Sequence, residues 1–220
     1  MEIAIMKAVL EENDDRAREI TELLKEKRIL LLNLISSPGS GKTTLLERTV
    51  EHFKDKYSIA VIEGDITTAR DAERLEKYNI PLVVINTDGA CHLNSMSIKN
   101  ALDKFDLDDL DIIFVENVGN LVCPSEFDIG ENAKVAVLST TEGDDKPAKY
   151  PLLFRESELM ILNKMDLAPY TNFNKVSFYR DLEKINKNLP VIETSCTKSE
   201  GLSGWFEWIG QKAIDGGVRK

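Results

Sequence analysis

The sequence predicts an α/β fold: a mostly parallel sheet of about seven strands with helices on both faces. Apolar stretches suited to buried strands recur at Ile29–Ile35, Ile59–Ile62, Leu82–Ile85, Ile112–Val115, Val135–Leu138, Leu159–Leu162 and Val191–Ile192. Charged amphipathic segments lie between most of them, among them Arg70–Tyr78, Ser97–Phe105 and Phe173–Asn188. Continuous apolar strands alternating with helices give a parallel sheet covered on both sides, with ligands at the carboxyl ends of its strands. The first strand also runs straight into a glycine-rich turn and then a helical pattern, Thr44 to His52.

The elements follow in order. Residues 1–27 repeat apolar positions at helical spacing (Ile5, Val9, then Ile20, Leu23, Leu24), and Asn13-Asp14-Asp15 is able to end one helix and cap the next. The expectation is a helical segment packed on one domain spanning 1–220. After the first strand, Ser36-Ser37-Pro38-Gly39-Ser40-Gly41-Lys42-Thr43-Thr44 reads as a Walker A loop between strand and helix, which makes the sheet that of a P-loop NTPase. Its glycines let successive N–H groups point at a phosphate, and the helix beginning at Lys42 adds its positive end. Lys42 is assigned to the β- and γ-phosphates and the Thr43 hydroxyl to magnesium. Ser36 stands where the strict pattern has glycine, a small-for-small change.

After the second strand, Asp65 is placed to meet magnesium or the attacking water, although it or Thr67 or Thr68 would also cap the next helix. After the fourth, Glu116 takes the Walker B place usually held by aspartate. Gly119, three residues on, is positioned to offer its N–H to a γ-phosphate and re-aim the loop when that phosphate leaves. Leu162-Asn163-Lys164-Met165-Asp166 matches the Asn-Lys-x-Asp guanine signature. Asp166 would accept from guanine N1–H and the exocyclic amine, Asn163 would hold the loop and meet the purine edge, and the Lys164 stem would lie over the ring. Thr194-Ser195-Cys196-Thr197-Lys198 falls where GTPases write Ser-Ala-Lys, with a backbone N–H for guanine O6 and Cys196 as a small packing residue. The expected substrate is GTP, with Mg2+.

Composition narrows the rest. A net charge of −10 and a pI near 4.9 disfavour a nucleic-acid or anionic-membrane surface. No apolar run is long enough to span a bilayer, and three cysteines without paired spacing do not make a disulfide framework. The expectation is a reduced, cytoplasmic protein. Two of those cysteines and one of only two histidines, Cys91, His92 and Cys123, fall past the third and fourth strands. Two thiols and an imidazole form a soft-to-borderline donor set. Three ligands leave an ion open, so water or a second subunit must complete it. His52, behind the phosphate loop, reads as a surface residue.

Taken together, Ser-Ser-Pro-Gly-Ser-Gly-Lys-Thr, Glu-Gly-Asp, Asn-Thr-Asp-Gly-Ala-Cys-His-Leu, Glu-Asn-Val-Gly-Asn-Leu-Val-Cys-Pro, Thr-Glu-Gly-Asp-Asp-Lys-Pro-x-Lys-Tyr-Pro and Asn-Lys-Met-Asp resemble the hydrogenase nickel-incorporation GTPases of the HypB family, over essentially the whole chain. The resemblance implies a SIMIBI-class GTPase that dimerises with bound GTP and helps deliver nickel to the [NiFe]-hydrogenase large subunit. It further implies that Lys42, Thr43, Asp65 and Glu116 serve phosphate and magnesium, that Asn163 and Asp166 serve guanine, and that Cys91, His92 and Cys123 hold nickel or zinc. This chain has no Cys or His before His52, where many members carry a nickel-binding segment. Ser37 and Pro38 stand where related dimeric ATPases place an extra lysine. Gly143–Pro151 has no role readable from the residues, beyond Lys146 and Lys149 being near enough in the chain to approach a nucleotide.

Three rivals make different demands. A urease-accessory GTPase (UreG) carries Cys-Pro-His on one segment, whereas Cys91 and His92 are adjacent. A metal-independent binding module, such as a particle-targeting GTPase, requires a further interaction domain. A small-molecule phosphotransferase wants an arginine clamp, and Arg70, Arg74 and Arg155 do not cluster in sequence.

Overall fold

The structure is a computed structural model that describes residues 2–65 and 70–218; the side chains of 2–9, 65 and 70–72 lie outside the described set. Residues 66–69, with the capping alternatives Thr67 and Thr68, lie outside it as well. Chain order is α1 (Glu2–Lys27), β1 (Leu30–Ser36), α2 (Lys42–Phe53), β2 (Ile59–Asp65), α3 (Arg70–Glu76), β3 (Leu82–Asn86), α4 (Ser95–Leu102) and β4 (Ile112–Glu116). Then come α5 (Cys123–Glu126), β5 (Ala133–Ser139), α6 (Lys146–Lys149), α7 (Pro151–Glu156), β6 (Leu159–Asn163), α8 (Lys175–Ile185), β7 (Val191–Glu193) and α9 (Ser203–Asp215).

Among the described residues the strands form one seven-stranded sheet, ordered β3-β2-β4-β1-β5-β6-β7, and every pairing is parallel. Alternation along β1 shows how both faces are covered. Leu30, Leu32 and Leu34 pack with Leu45, Val50 and Phe53 of α2 and with Trp205 and Ile209 of α9. Leu31 packs with Ile20 and Leu24 of α1 and Ile98 of α4. Ile35 joins Phe154 of α7 and Phe178 and Leu182 of α8. Successive side chains of a strand point to opposite faces, so a strand buried on both sides must be apolar throughout.

The amino-terminal pattern is resolved differently from the expectation. Asn13-Asp14-Asp15 neither ends nor caps a helix; α1 runs unbroken through it. The reason is tertiary. Asn13, Ala17, Ile20 and Leu24 fall at helical spacing on one buried face. Asn13 uses its carboxamide on other segments: Nδ2 donates to Asp128 O at 2.8 Å and Oδ1 accepts from Ser95 N at 3.0 Å. A buried amide left without partners would cost about 1–3 kcal/mol. Engaged outside its own helix, it has no claim on the helix backbone.

Capping sets other boundaries. Asn94 accepts from Ser97 N and starts α4 at Ser95, two residues earlier than the apolar pattern suggests, and Asn174 accepts from Ser177 N before α8. The carboxyl-terminal α9, beyond the elements the pattern picked out, buries Trp205, Ile209 and Ala213 at intervals of four. Trp205 Nε1 donates to Thr49 Oγ1 at 2.8 Å, fixing α9 beneath the helix that follows the phosphate loop.

Candidate functional site

A cavity of about 590 Å3 lies at the carboxyl ends of β1, β2 and β4. Its floor is the turn between β1 and α2, Pro38 through Thr44, and its walls carry Glu63, Gly64, Glu116–Gly119, Arg74 and Lys164. Gly41 takes φ 102° immediately before α2, a left-handed conformation that glycine adopts without strain. A Cβ there would also run into the Asn163 amide. Lys42 is buried at the start of α2, and its Nζ donates to Ser36 Oγ at 2.6 Å. Thr43 Oγ1 donates to Glu116 Oε1 at 2.9 Å, so the Walker A hydroxyl and the acidic residue ending β4 converge on one corner. Two oxygen donors there suit a hard divalent cation. The side chain of Asp65, expected in the same place, lies outside the described residues.

Gly119 meets the phosphate loop directly. A Cβ on it would come 2.8 Å from Pro38 Cγ, closer than packing allows, so only glycine lets the two loops touch. Ser37 does not line the cavity; its Oγ donates to Glu142 instead. Glu142 also accepts from Ser139 N, at 2.8 Å, closing a capping box at the end of β5.

The guanine-signature residues form a clamp beside the cavity. Asn163, ending β6, donates from Nδ2 to Ser40 O at 2.9 Å and accepts at Oδ1 from Cys196 N at 3.1 Å and Thr194 Oγ1 at 3.2 Å. It ties three loops together. Lys164, at φ 58°, reaches back to donate to Gly39 O at 2.6 Å. Asp166 accepts from Ser195 Oγ at 2.7 Å, and Lys198 Nζ stands 3.9 Å from its other oxygen. Cys196 is buried among Leu202 and Trp205, and that burial pushes its thiol pKa up. Thr197 follows it on the exposed rim.

The second cluster sits over β2. That strand lies between β3 and β4, so the loop after β3 and the loop after β4 meet across its end. Gly64 makes the room: a Cβ there would meet Leu93 Cδ1 at 2.9 Å. Cys91 and His92 arrive on one loop and Cys123 on the other, with their ligand atoms all within 4.8 Å of one another. Cys91 Sγ lies 2.8 Å from Cys123 Sγ and 3.6 Å from His92 Nδ1. The His92 ring stacks on Phe127 at 3.9 Å. Burial lowers the His92 pKa, against the opposing charge of Glu126, and so favours the neutral imidazole that a metal needs. The Cys91 hydrogen bond, then burial, raises the Cys123 thiol.

Sequence reasoning gave Glu63 and Asn117 no role and weighed Arg74 only as part of an arginine clamp that it did not find. Glu63 is buried and sits in register with Glu116 across β2 and β4; a carboxylate inside an apolar strand was its only signal. Arg74, which donates to Thr44 Oγ1 at 2.9 Å, carries no local mark of function. Lys146 and Lys149 do not line the cavity: Lys146 Nζ donates to Glu142 O at 2.8 Å, and Lys149 pairs with Asp145. His52 is exposed and stacks on Phe206.

The fold and the phosphate loop define a P-loop nucleotide-binding protein. Residues 30–193 match the CobW/HypB/UreG nucleotide-binding domain. Hydrogenase maturation factor HypB of Escherichia coli K12 is 46% identical over 201 residues, which cover 91% of this chain and 69% of that one. HypB from Helicobacter pylori, crystallised in complex with nickel, superposes with a TM-score of 0.88 at 36% identity, over 95% of this chain and 98% of that one. HypB from Archaeoglobus fulgidus gives 0.87 at 35% identity, over 93% and 100%. The chain belongs to the CobW/HypB/UreG family and, within it, to the HypB hydrogenase maturation factors.

Proposed function

We propose that the chain is a GTP-hydrolysing nickel metallochaperone that couples its nucleotide state to metal transfer during [NiFe]-hydrogenase maturation. One observation carries this reading. Gly119, packed against the phosphate loop, and Cys123, 2.8 Å from Cys91 at the start of α5, lie four residues apart on the connection that follows β4. A loop that shifts with the γ-phosphate moves one metal ligand relative to the other two. Loss of phosphate therefore loosens the metal.

In this reading GTP lies with its phosphates along Pro38–Thr44 and its base against Lys164, Asp166 and the Ser195–Thr197 loop. The Cys196 N–H, which donates to Asn163, is the amide that guanine O6 would share. Thr43, Glu116 and Asp65 would hold Mg2+, which neutralises phosphate charge when bound. Lys42 supplies a fixed positive charge, and the amides around Gly119 position the γ-phosphate. Two thiolates and an imidazole suit nickel(II) or zinc(II). Three ligands leave either ion open, so a second copy of the chain, brought up by GTP, completes the site. The metal is cargo for the hydrogenase large subunit, in the cytoplasm. No described helix is long and apolar enough to cross a membrane.

The base assignment is tested by competition and by Asp166→Asn. An amide in place of the carboxylate sets a donor against guanine's own donors, and an unpaired buried polar group costs about 1–3 kcal/mol. Affinity for GTP is expected to fall roughly thirtyfold at the middle of that range, measured by titration with a fluorescent guanine nucleotide. ATP competing as well as GTP for the wild-type chain would overturn the assignment.

A further inference from the structure

The proposed coupling moves Cys123, but Cys91 and His92 sit on a different loop. One buried side chain connects that loop to the phosphate cavity. Asn117 lies one residue past β4 and two before Gly119, and it is 1% exposed. Its Oδ1 accepts two backbone N–H groups, Val118 N at 2.9 Å and Leu93 N at 3.2 Å. The first belongs to the residue preceding Gly119; the second follows His92. The amide cannot turn freely, because Nδ2 donates to Asn33 Oδ1 at 3.1 Å and the Asn117 backbone N–H donates to Leu34 O at 3.1 Å. A single acceptor atom, held from β1, thus grips both the phosphate-sensing loop and the metal loop.

Resting on the nucleotide-coupled reading above, we infer that Asn117 is the positioning residue through which the γ-phosphate loop sets the place of Cys91 and His92. When Gly119 swings towards a γ-phosphate, the Val118 N–H moves relative to Oδ1. The hold on Leu93 changes with it, because two donors share one carbonyl oxygen. All three ligands then respond to nucleotide, Cys123 through its own loop and the other two through Asn117.

A second asparagine provides the contrast. Asn13 of α1 joins the same two strand connections further out, at Ser95 N, where α4 starts, and at Asp128 O, beyond α5, and neither partner lines the phosphate cavity. It sets the spacing of the loops in every nucleotide state.

The test is nickel affinity by equilibrium dialysis at saturating GDP and at a saturating non-hydrolysable GTP analogue, on the full chain. Wild type is expected to bind nickel about fivefold or more tightly in the GTP-like state. Asn117→Ala should bring that ratio close to one, the loss of nickel affinity falling chiefly on the GTP-like state. Asn13→Ala should weaken binding in both states and keep the ratio. Asn117→Ser, polar but too short to reach Leu93, should behave like Asn117→Ala and serves if the alanine variant does not fold. A wild-type ratio surviving in the Asn117 variants overturns the inference, as does an equal loss in both states. No nucleotide dependence in wild type overturns the coupling itself, a separate failure.

Discussion

Replacing Lys42 with alanine is expected to reduce GTP hydrolysis by two orders of magnitude or more and to leave the chain folded. The ammonium sits at the start of α2, buried against the phosphate loop and fixed by Ser36 Oγ at 2.6 Å, so it needs no reorganisation when charge develops at the phosphates. Removing one such preorganised donor typically costs about 10²–10³ in turnover, or about 2.7–4 kcal/mol. The structural loss is smaller, because what Lys42 holds is the loop and not the apolar layer behind α2. Thr43→Ala should act in the same direction, since Thr43 Oγ1 meets Glu116 at the corner where Mg2+ is proposed. Single-turnover cleavage beside thermal unfolding separates the two effects. Cleavage by the Lys42→Ala protein at the wild-type rate would refute the assignment.

The second large effect concerns the thiols. Cys91→Ala and Cys123→Ala should each weaken nickel or zinc binding by more than the roughly 10–100-fold that outer-shell changes cost, since in the proposed site each is a direct ligand. His92→Ala should do likewise and also releases the stack on Phe127 at 3.9 Å. Geometry separates the metals, because nickel(II) accepts square-planar surroundings and zinc prefers tetrahedral ones. The absorption spectrum of the nickel-loaded protein reports which is adopted, and sedimentation of the same samples reports the oligomeric state. Unchanged stoichiometry and affinity in all three variants would remove the metal site. A site that fills equally well in a strict monomer would keep the metal and discard the shared interface.

Much of this architecture was legible because apolar runs and phosphate-loop glycines leave few alternatives. Each predicted strand is present, and each runs on past its apolar stretch to a polar last residue: Ser36, Asp65, Asn86, Glu116, Ser139, Asn163 and Glu193. Parallel pairing continues to the edge of the core, where function places polar groups, so hydrophobicity alone ends the strands early. What stayed hidden was tertiary. Asn13 looks like a cap until its carboxamide is seen reaching Asp128 and Ser95. Asn117 sits inside a recognisable motif, yet its link to Leu93 spans 24 residues and depends on β2 lying between β3 and β4. Glu63 was readable in principle, as a carboxylate two residues ahead of Asp65 in an apolar strand. Cys91, His92 and Cys123 were legible by residue type; their convergence required the sheet order.

The central claim, that hydrolysis releases the metal, has a direct measurement. The protein is loaded with one equivalent of nickel and GTP without magnesium, then mixed with Mg2+ and a chromogenic nickel chelator, while phosphate release is followed in parallel. Nickel is predicted to reach the chelator with the rate constant of phosphate release, and to stay bound on the same timescale with a non-hydrolysable GTP analogue. Nickel leaving at the same rate with GTP and with the analogue would contradict the coupling, whatever the two sites do separately.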